Sequence, residues 1–156
     1  MIEYKGECPC GVVKFKLIGK PLFTQHCHCN KCREVMALSN INTNKVAYSF
    51  TAAYMTPNLV FSAGQEQLKI TSRNTSDLFL CQSCNSLVYG ISQDPAKQAG
   101  IGVNARNIHF ANNKLPLCFL PDKHIWYKNR TIDINDYLPK YKDTPSEQFG
   151  TGDLIE

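Results

Sequence analysis

The spacing of the cysteines constrains this chain more than any other feature of its sequence. Cys27, Cys29 and Cys32 form a C-x-C-x-x-C motif within residues 26–32, and so dense a group of thiols is typical of a shared metal. Thiolates are soft ligands, and tetrahedral all-sulfur sites select zinc or iron-sulfur centres over harder cations. Zinc is therefore the first candidate for this motif.

The other cysteines supply a second set of ligands. Of the eight cysteines, Cys8 and Cys10 form one pair, Cys81 and Cys84 form another, and Cys118 stands alone. The two pairs complete one four-sulfur site, and this leaves the triplet with three ligands and one open corner. Closed zinc sites are structural, whereas a site with an open position takes water or a substrate. The count favours two zinc ions per chain, one structural and one catalytic.

Other arrangements of the cysteines remain open. Cys81 and Cys84 could pair with two cysteines of the triplet, or His26 or His28 could fill the open corner. Four disulfides in a secreted scaffold are disfavoured because residues 1–5 lack the start of a signal peptide and a chain of this length folds without staples. A redox C-x-x-C is disfavoured because residues 79–89 have the pattern of strand, turn and strand, with no helix after the motif.

Composition indicates one soluble domain. The 156 residues are 43% hydrophobic, enough for a single core, and no apolar run approaches the ~20 residues of a membrane span. The net charge of +4 comes from basic residues scattered along the chain, so nucleic acid is not indicated as a partner. We expect a cytoplasmic protein without a membrane segment.

Periodicity predicts a mainly β fold with one or two short helices. Alternation of apolar and polar residues, broken by turn residues, predicts the following strands: 2–7, 12–17, 22–28, 46–50, 59–62, 67–71, 77–80, 87–89, 98–104 and 124–128. Asn30 is predicted to cap a helix through residues 31–37. Residues 1–141 form the predicted zinc-binding domain, and residues 142–156 are too polar to pack and are predicted to be a mobile tail.

Together these motifs resemble those of a known family. Gly6-x-Cys8-x-Cys10-Gly11, Cys27-His28-Cys29-x-x-Cys32-Arg33, Phe79-x-Cys81-x-x-Cys84 and His124-Ile125-Trp126 are similar to the glutathione-dependent formaldehyde-activating enzyme family, which also contains centromere protein V. The resemblance spans roughly residues 4 to 140. It implies a zinc-bearing β-tent of antiparallel sheets, a structural zinc on the two cysteine pairs and a catalytic zinc on the triplet.

The resemblance also implies a reaction. Members of the family combine glutathione with formaldehyde to S-hydroxymethylglutathione, or catalyse the reverse, as carbon-sulfur lyases. A free thiol is mostly protonated at neutral pH, and zinc would convert it to a thiolate aimed at the aldehyde carbon. Arg33 would suit a substrate carboxylate. The departures from the family pattern lie beside the metal motifs, at Glu34, Ala37 and Asn85, and bear on substrate identity more than on metal binding.

Three functions compete at this point. An enzyme acting on a thiol-aldehyde adduct needs an exchangeable position on its metal beside a pocket. A zinc-stabilised module that binds protein or nucleic acid without catalysis needs only closed sites. A zinc enzyme with another small substrate needs the open site and a different pocket. Outside the metal motifs, His124 and Trp126 are expected in or near the core and Cys118 is expected as a buried free thiol.

Overall fold

The computed structural model describes residues 1–40 and 46–155, which form two β-sheets and one short α-helix. The strands are β1 (Glu3–Glu7), β2 (Lys14–Ile18), β3 (Phe23–Cys27), β4 (Ser49–Met55), β5 (Leu59–Ala63), β6 (Leu68–Arg73), β7 (Ser76–Cys81), β8 (Leu87–Ser92), β9 (Gly100–Asn104), β10 (Ile108–His109) and β11 (His124–Ile125). The helix α1 spans Asn30–Met36, and short 3-10 turns join several strands. The predicted mainly β fold is confirmed. No helix in the described ranges has the length and apolarity to cross a membrane.

The strands divide into a smaller and a larger sheet. The smaller sheet has the order β10-β1-β2-β5, and the larger has the order β11-β3-β4-β9-β8-β7-β6. Neighbours pair antiparallel, as predicted, except for β11, which runs parallel to β3. The parallel pair places Ile125 beside Cys27, and so brings a distant part of the chain to the cysteine triplet.

The main core contains side chains from both sheets. Phe15 and Leu17 of β2 and Tyr54 of β4 are buried in one apolar cluster with Ile101 and Val103 of β9. Residues two apart in a strand point to the same face of its sheet. One face of the larger sheet therefore lies on the core, and helix α1 packs on its other face.

The opposite face of the larger sheet has small side chains at its centre. Gly90 of β8 pairs with Gly102 of β9, one register position away from the core pair formed by Tyr89 and Val103. Helix α1 covers part of this same face, because its buried Val35 belongs to a second apolar cluster with Leu78 and Leu80 of β7. The uncovered part, floored by glycine, forms a groove beside the helix.

Several predicted element boundaries were wrong. The strand predicted at 46–50 begins at Ser49 and continues to Met55, and the strand predicted at 98–104 begins at Gly100. The strand predicted at 124–128 ends at Ile125 because Trp126 adopts a left-handed backbone conformation with φ 53°. An aromatic residue in this conformation cannot continue a strand.

Residues 142–155 run along the domain. The Lys142 amide donates to Asp153 O and the Ile155 amide donates to Lys140 O, both at 2.8 Å, while the Trp126 amide donates to Asp143 O at 2.7 Å. The mobility predicted for residues 142–156 stays a prediction. Hydrogen exchange at the Lys142 and Ile155 amides would measure it, since a mobile tail exchanges at the rate of an unfolded peptide.

Candidate metal centre and substrate groove

The first cysteine cluster joins two turns that are distant in sequence. The sulfurs of Cys8 and Cys10, from the turn between β1 and β2, lie within 4.8 Å of those of Cys81, which ends β7, and Cys84, in the turn that follows. Cys8 Sγ lies 3.3 Å from Cys10 Sγ, which lies 3.7 Å from Cys81 Sγ. Four sulfurs at 2.3 Å from a tetrahedral zinc would be about 3.8 Å apart. This four-sulfur cluster therefore fits zinc, and all its cysteines are free thiols.

Asn85 shapes the turn that delivers Cys81 and Cys84. Its backbone is left-handed, with φ 58°, its amide donates to Cys81 O at 2.7 Å, and the Cys81 amide donates to Ser86 O at 3.0 Å. The family pattern that this sequence resembles has glycine at this position. Since asparagine tolerates the left-handed region better than most residues, the departure at Asn85 preserves the turn.

The second cysteine cluster lies where β3 meets helix α1. Cys27 ends the strand, Cys32 lies in the first turn of the helix, and the sulfurs of Cys27, Cys29 and Cys32 lie within 4.8 Å of one another. The predicted cap at Asn30 was wrong. Cys29 caps the helix instead, because its sulfur accepts a hydrogen bond from the Cys32 amide at 3.2 Å. We call this group the three-sulfur cluster.

The crowded thiols of the three-sulfur cluster have unequal acidities. Hydrogen bonds from the Cys27 and Cys32 thiols lower the pKa of Cys29 to about 3. The hydrogen bond to Cys29 and burial raise the pKa of Cys27 well above its ordinary value. Deprotonation of all three thiols at this spacing needs a cation between them, and coordination to a divalent metal deprotonates thiols outright. The donor set therefore fits a soft divalent metal such as zinc.

His28 lies between Cys27 and Cys29 in the sequence, and its side chain contacts His124. Its Nε2 lies 2.9 Å from Nδ1 of His124, whose Nε2 lies 2.8 Å from a carboxylate oxygen of Asp136. The carboxylate can only accept, so the Nε2–H of His124 donates to Asp136, and a second hydrogen bond joins the two imidazole rings. Lys140 donates to the other oxygen of Asp136 at 2.7 Å. This series of hydrogen bonds links the cysteine segment to the C-terminal part of the fold.

Asp136 is the anionic group in this series of hydrogen bonds. Burial by itself would raise the pKa of Asp136, but hydrogen bonds from Lys140 and His124 lower it to about 2. Burial, followed by the effect of neighbouring charges, lowers the pKa values of His26 and His28 to about 4. Both histidines are therefore neutral at pH 7. Neither of them belongs to the set of atoms that forms the three-sulfur cluster.

Arg33 is bound to the protein itself. Its Nη1 donates to the backbone oxygens of His28 and Asn129, and its Nη2 donates to the side-chain oxygen of Asn30. These bonds hold the helix against the cysteine segment. A role for Arg33 in binding a substrate carboxylate stays a prediction.

A groove of about 270 Å³ opens onto the three-sulfur cluster. We call it the sheet groove. Its lining includes all three cysteines of the cluster and comes from β3, β4, β7, β8 and β9, from helix α1 and its cap, from the turn before β9 and from residues 125–126. The lining residues are Gln25, Cys27, Cys29, Lys31, Cys32, Ser49, Thr51, Ser76, Leu78, Leu87, Gly90, Ile91, Ser92, Lys97, Gly100, Gly102, Ile125 and Trp126. The three-sulfur cluster is thus accessible to a ligand from one side.

Two further cavities are larger, and one of them adjoins the sheet groove. A loop cavity of about 440 Å³ shares Cys29, Lys31 and Trp126 with the sheet groove and is also lined by Lys128. A cavity of about 460 Å³ on the smaller sheet is lined by residues of β1 and β2 and by His109, and includes no cysteine. This cavity on the smaller sheet does not contact the cysteine clusters, although it is larger than the sheet groove. Of these three cavities, the sheet groove is lined by all three cysteines of the three-sulfur cluster.

Sequence reasoning missed two residues of the sheet groove. Gln25 is buried, and its side-chain oxygen has no hydrogen-bond partner among the described residues. Trp126, expected in or near the core, is half-buried and forms a wall shared by the groove and the loop cavity. The position of Gln25 two residues before Cys27 was the available signal, since residues two apart on a strand share a face.

The fold and the two clusters define a cysteine-rich, mainly β domain. One group of potential metal ligands has four sulfurs, and the other has three sulfurs beside a groove. The chain belongs to the glutathione-dependent formaldehyde-activating enzyme family, whose sequence profile matches residues 3–129. No curated protein sequence matches the chain. A crystal structure of a Rhodobacter sphaeroides protein is similar, with a TM-score of 0.52 and 21% identity over 70% of this chain and 91% of that chain. At this identity the likeness supports the fold alone.

Proposed function

We propose that this protein is a zinc-dependent carbon-sulfur lyase that forms or cleaves the adduct between formaldehyde and a thiol such as glutathione. The proposal assigns a structural zinc to the four-sulfur cluster and a catalytic zinc to the three-sulfur cluster, two ions per chain. The observation that carries it is the sheet groove, which reaches three sulfurs that no fourth Cys, His, Asp or Glu of the described residues joins. A cytoplasmic location is part of the proposal.

The reaction adds a thiol to formaldehyde. The sulfur of RSH forms a bond to the carbonyl carbon, the π electrons move to oxygen, and the thiol proton ends on the new hydroxyl of RSCH₂OH, so no oxidant or reductant is consumed. Zinc on three thiolates would keep the substrate sulfur deprotonated. Cys27, Cys29 and Cys32 would hold it, and the open side of the cluster faces the groove where the thiol would enter.

Gln25 gives the groove a polar group suited to this chemistry. A buried amide oxygen without a hydrogen bond lowers the stability of a fold by about 1–3 kcal/mol. The unpaired oxygen of Gln25 in this groove therefore favours a hydrogen bond that forms only when substrate is bound. In the proposed complex, Gln25 accepts a hydrogen bond from the hydroxyl of the adduct. Ile125 and the half-buried Trp126 form the apolar wall of the groove beside it.

Exchange spectroscopy tests the proposed reaction. Because glutathione and formaldehyde also combine without a catalyst, the quantity to measure is the exchange rate between free and adduct ¹³C-formaldehyde by NMR, with and without zinc-loaded protein. We expect acceleration by the native protein and none by Cys29→Ser, whose serine hydroxyl can still cap helix α1. A native protein with two zinc ions that leaves the exchange rate unchanged would contradict the proposal and favour a zinc-stabilised binding module.

A further inference from the structure

A small polar cavity of about 130 Å³ lies beside Met36, at the end of helix α1. We call it the arginine cavity. Sites for drug-sized ligands measure about 300–1,000 Å³, so this cavity has room for a small ion and not for a molecule of that size. Its polar lining consists of Ser39, Ser86, Asn104, Arg106 and Asn107, and the described lining includes no aspartate or glutamate.

Arg106 is the charged residue of this lining, and its charge is uncompensated. Within residues 1–40 and 46–155, its guanidinium forms no hydrogen bond and no ion pair. The other arginines differ in this respect, because Arg33, Arg73 and Arg130 each donate to an oxygen of the protein. A lone arginine in a cavity without carboxylates is complementary to an anion.

The surroundings of Arg106 bury its charged end. The residue is exposed overall, so an ion can reach it from solvent. Nevertheless, burial lowers the pKa of the guanidinium, and the opposing effect comes from Tyr48 and not from a carboxylate. The centre of the guanidinium lies 5.7 Å from the centre of the Tyr48 ring, which is a cation–π distance. This contact involves no oxygen acceptor, so the N–H donors of Arg106 remain available.

Two buried side-chain amides line the cavity with Arg106. Asn104 and Asn107 are each 7% exposed, and their Nδ2 atoms donate to the same acceptor, Leu87 O, at 3.0 and 2.9 Å. An amide nitrogen carries two hydrogens, so each asparagine retains one N–H for another acceptor. Asn104 Oδ1 accepts from the Arg106 amide at 3.2 Å, which fixes the orientation of that side chain. The cavity therefore combines N–H donors from three side chains.

We propose that the arginine cavity binds a free tetrahedral oxyanion, such as inorganic phosphate or sulfate, through the guanidinium of Arg106 and the side-chain amides of Asn104 and Asn107. A tetrahedral oxyanion has more acceptor oxygens than a carboxylate and can accept from all three side chains. None of the cysteines of the three-sulfur cluster lines this cavity. The inference is therefore independent of the proposed function.

Titration of ¹⁵N-labelled, zinc-loaded protein with sodium sulfate tests the site, with sodium chloride added to keep the ionic strength constant. Sulfate is tetrahedral and keeps its charge throughout the neutral pH range. In NMR spectra, the Nε–H resonance of Arg106 and the side-chain amide resonances of Asn104 and Asn107 should move together. One charged and two neutral hydrogen-bond donors support a single Kd of about 1 mM.

Three arginine variants identify the group that binds the anion. Arg106→Gln should raise the sulfate Kd at least tenfold, because the charge-assisted hydrogen bonds are lost. Arg106→Lys keeps the charge without the planar fork and should raise the Kd about fivefold. Arg73→Gln is the matched control, a loss of positive charge on β6, and should leave the Kd within twofold of the native value.

The open metal site is the competing site for an anion. The variant Cys29→Ser/Cys32→Ser, in which this cluster is removed, should bind sulfate with the native Kd. A loss of sulfate binding in this variant would overturn the inference. Equal Kd values for native protein and Arg106→Gln, or an Arg106 resonance that does not respond to sulfate, would overturn it as well.

Three further anions test the class of the ligand. Inorganic phosphate should bind about as tightly as sulfate, and acetate should bind at least fivefold more weakly. Phenyl phosphate carries the phosphate group on a ring for which the cavity has no room, so it should bind at least tenfold more weakly than inorganic phosphate. Acetate that binds as tightly as sulfate would refute the tetrahedral class. Phenyl phosphate that binds as tightly as inorganic phosphate would show that the site recognises the phosphate group of a larger molecule and not a free ion.

Discussion

Removal of the two cysteine clusters is expected to affect stability very differently. Cys81→Ser/Cys84→Ser eliminates the cross-link between parts of the chain that are distant in sequence, with Cys10 and Cys81 separated by 71 residues. Cys29→Ser/Cys32→Ser eliminates a link confined to residues 27–32. Because closing a longer loop removes more entropy from the unfolded chain, the first link stabilises the fold by about 4 kcal/mol and the second by about 2 kcal/mol.

Burial increases this difference. Cys81 and Cys84 are buried, while Cys29 and Cys32 are only half-buried. Serine hydroxyls at the buried positions lose hydrogen bonds to water, at about 1–3 kcal/mol each if no partner replaces them. Serine at position 29 can still accept from the Cys32 amide as a helix cap. The total cost for the first variant approaches the whole stability of a typical domain.

Thermal unfolding of the zinc-loaded proteins measures the difference. For a chain of this length, 1 kcal/mol shifts the melting temperature by about 2–4 °C. We expect Cys29→Ser/Cys32→Ser to melt cooperatively within about 8 °C of the native protein. We expect Cys81→Ser/Cys84→Ser to melt at least 10 °C lower than native or to be insoluble. Equal losses in the two variants would refute the assignment of the four-sulfur cluster as the structural site.

Substitutions at three other residues test particular contacts. Gln25→Met should lower kcat/KM about tenfold, while urea unfolding shows equal or greater stability because an unpaired buried oxygen is removed; a parallel loss of stability would contradict its role with substrate. Asn85→Val should cost about 1–2 kcal/mol in urea unfolding because valine is strained at positive φ, and Asn85→Gly should be neutral; equal effects would count against the turn argument. His124→Leu should lower the free energy of unfolding by about 2–3 kcal/mol, since it leaves His28 and Asp136 without their shared partner; an unchanged urea midpoint would show that the chain does not fasten the segment.

The grouping of the cysteines could be predicted from the sequence because it follows from their local spacing. Cys8 with Cys10, Cys81 with Cys84, and the triplet each lie within a single turn or strand end, so their sulfurs are neighbours whatever the remaining fold does. Alternating hydrophobicity likewise predicted most strands, as in β2, where Phe15 and Leu17 face the core.

The groove could not be predicted in the same way. Its floor depends on the register that places Gly90 beside Gly102, and Lys97 joins its lining from the turn between β8 and β9. Both are consequences of long-range pairing between strands. Trp126 was wrongly predicted to lie in a strand and near the core. The pattern of apolar residues does not reveal that one residue of a segment has a left-handed backbone.

Cobalt(II) substitution followed by titration with glutathione tests the central claim most directly. The absorption spectrum of cobalt depends on its ligands. If both cysteine clusters bind cobalt, the absorbance should rise until two ions have been added per chain. We predict that glutathione increases the sulfur-to-cobalt charge-transfer absorption of native protein, as one cobalt gains a fourth sulfur, and that Cys29→Ser/Cys32→Ser shows no such change. A spectrum of native protein that saturating glutathione leaves unaltered would contradict an open, thiol-binding metal site at Cys27, Cys29 and Cys32.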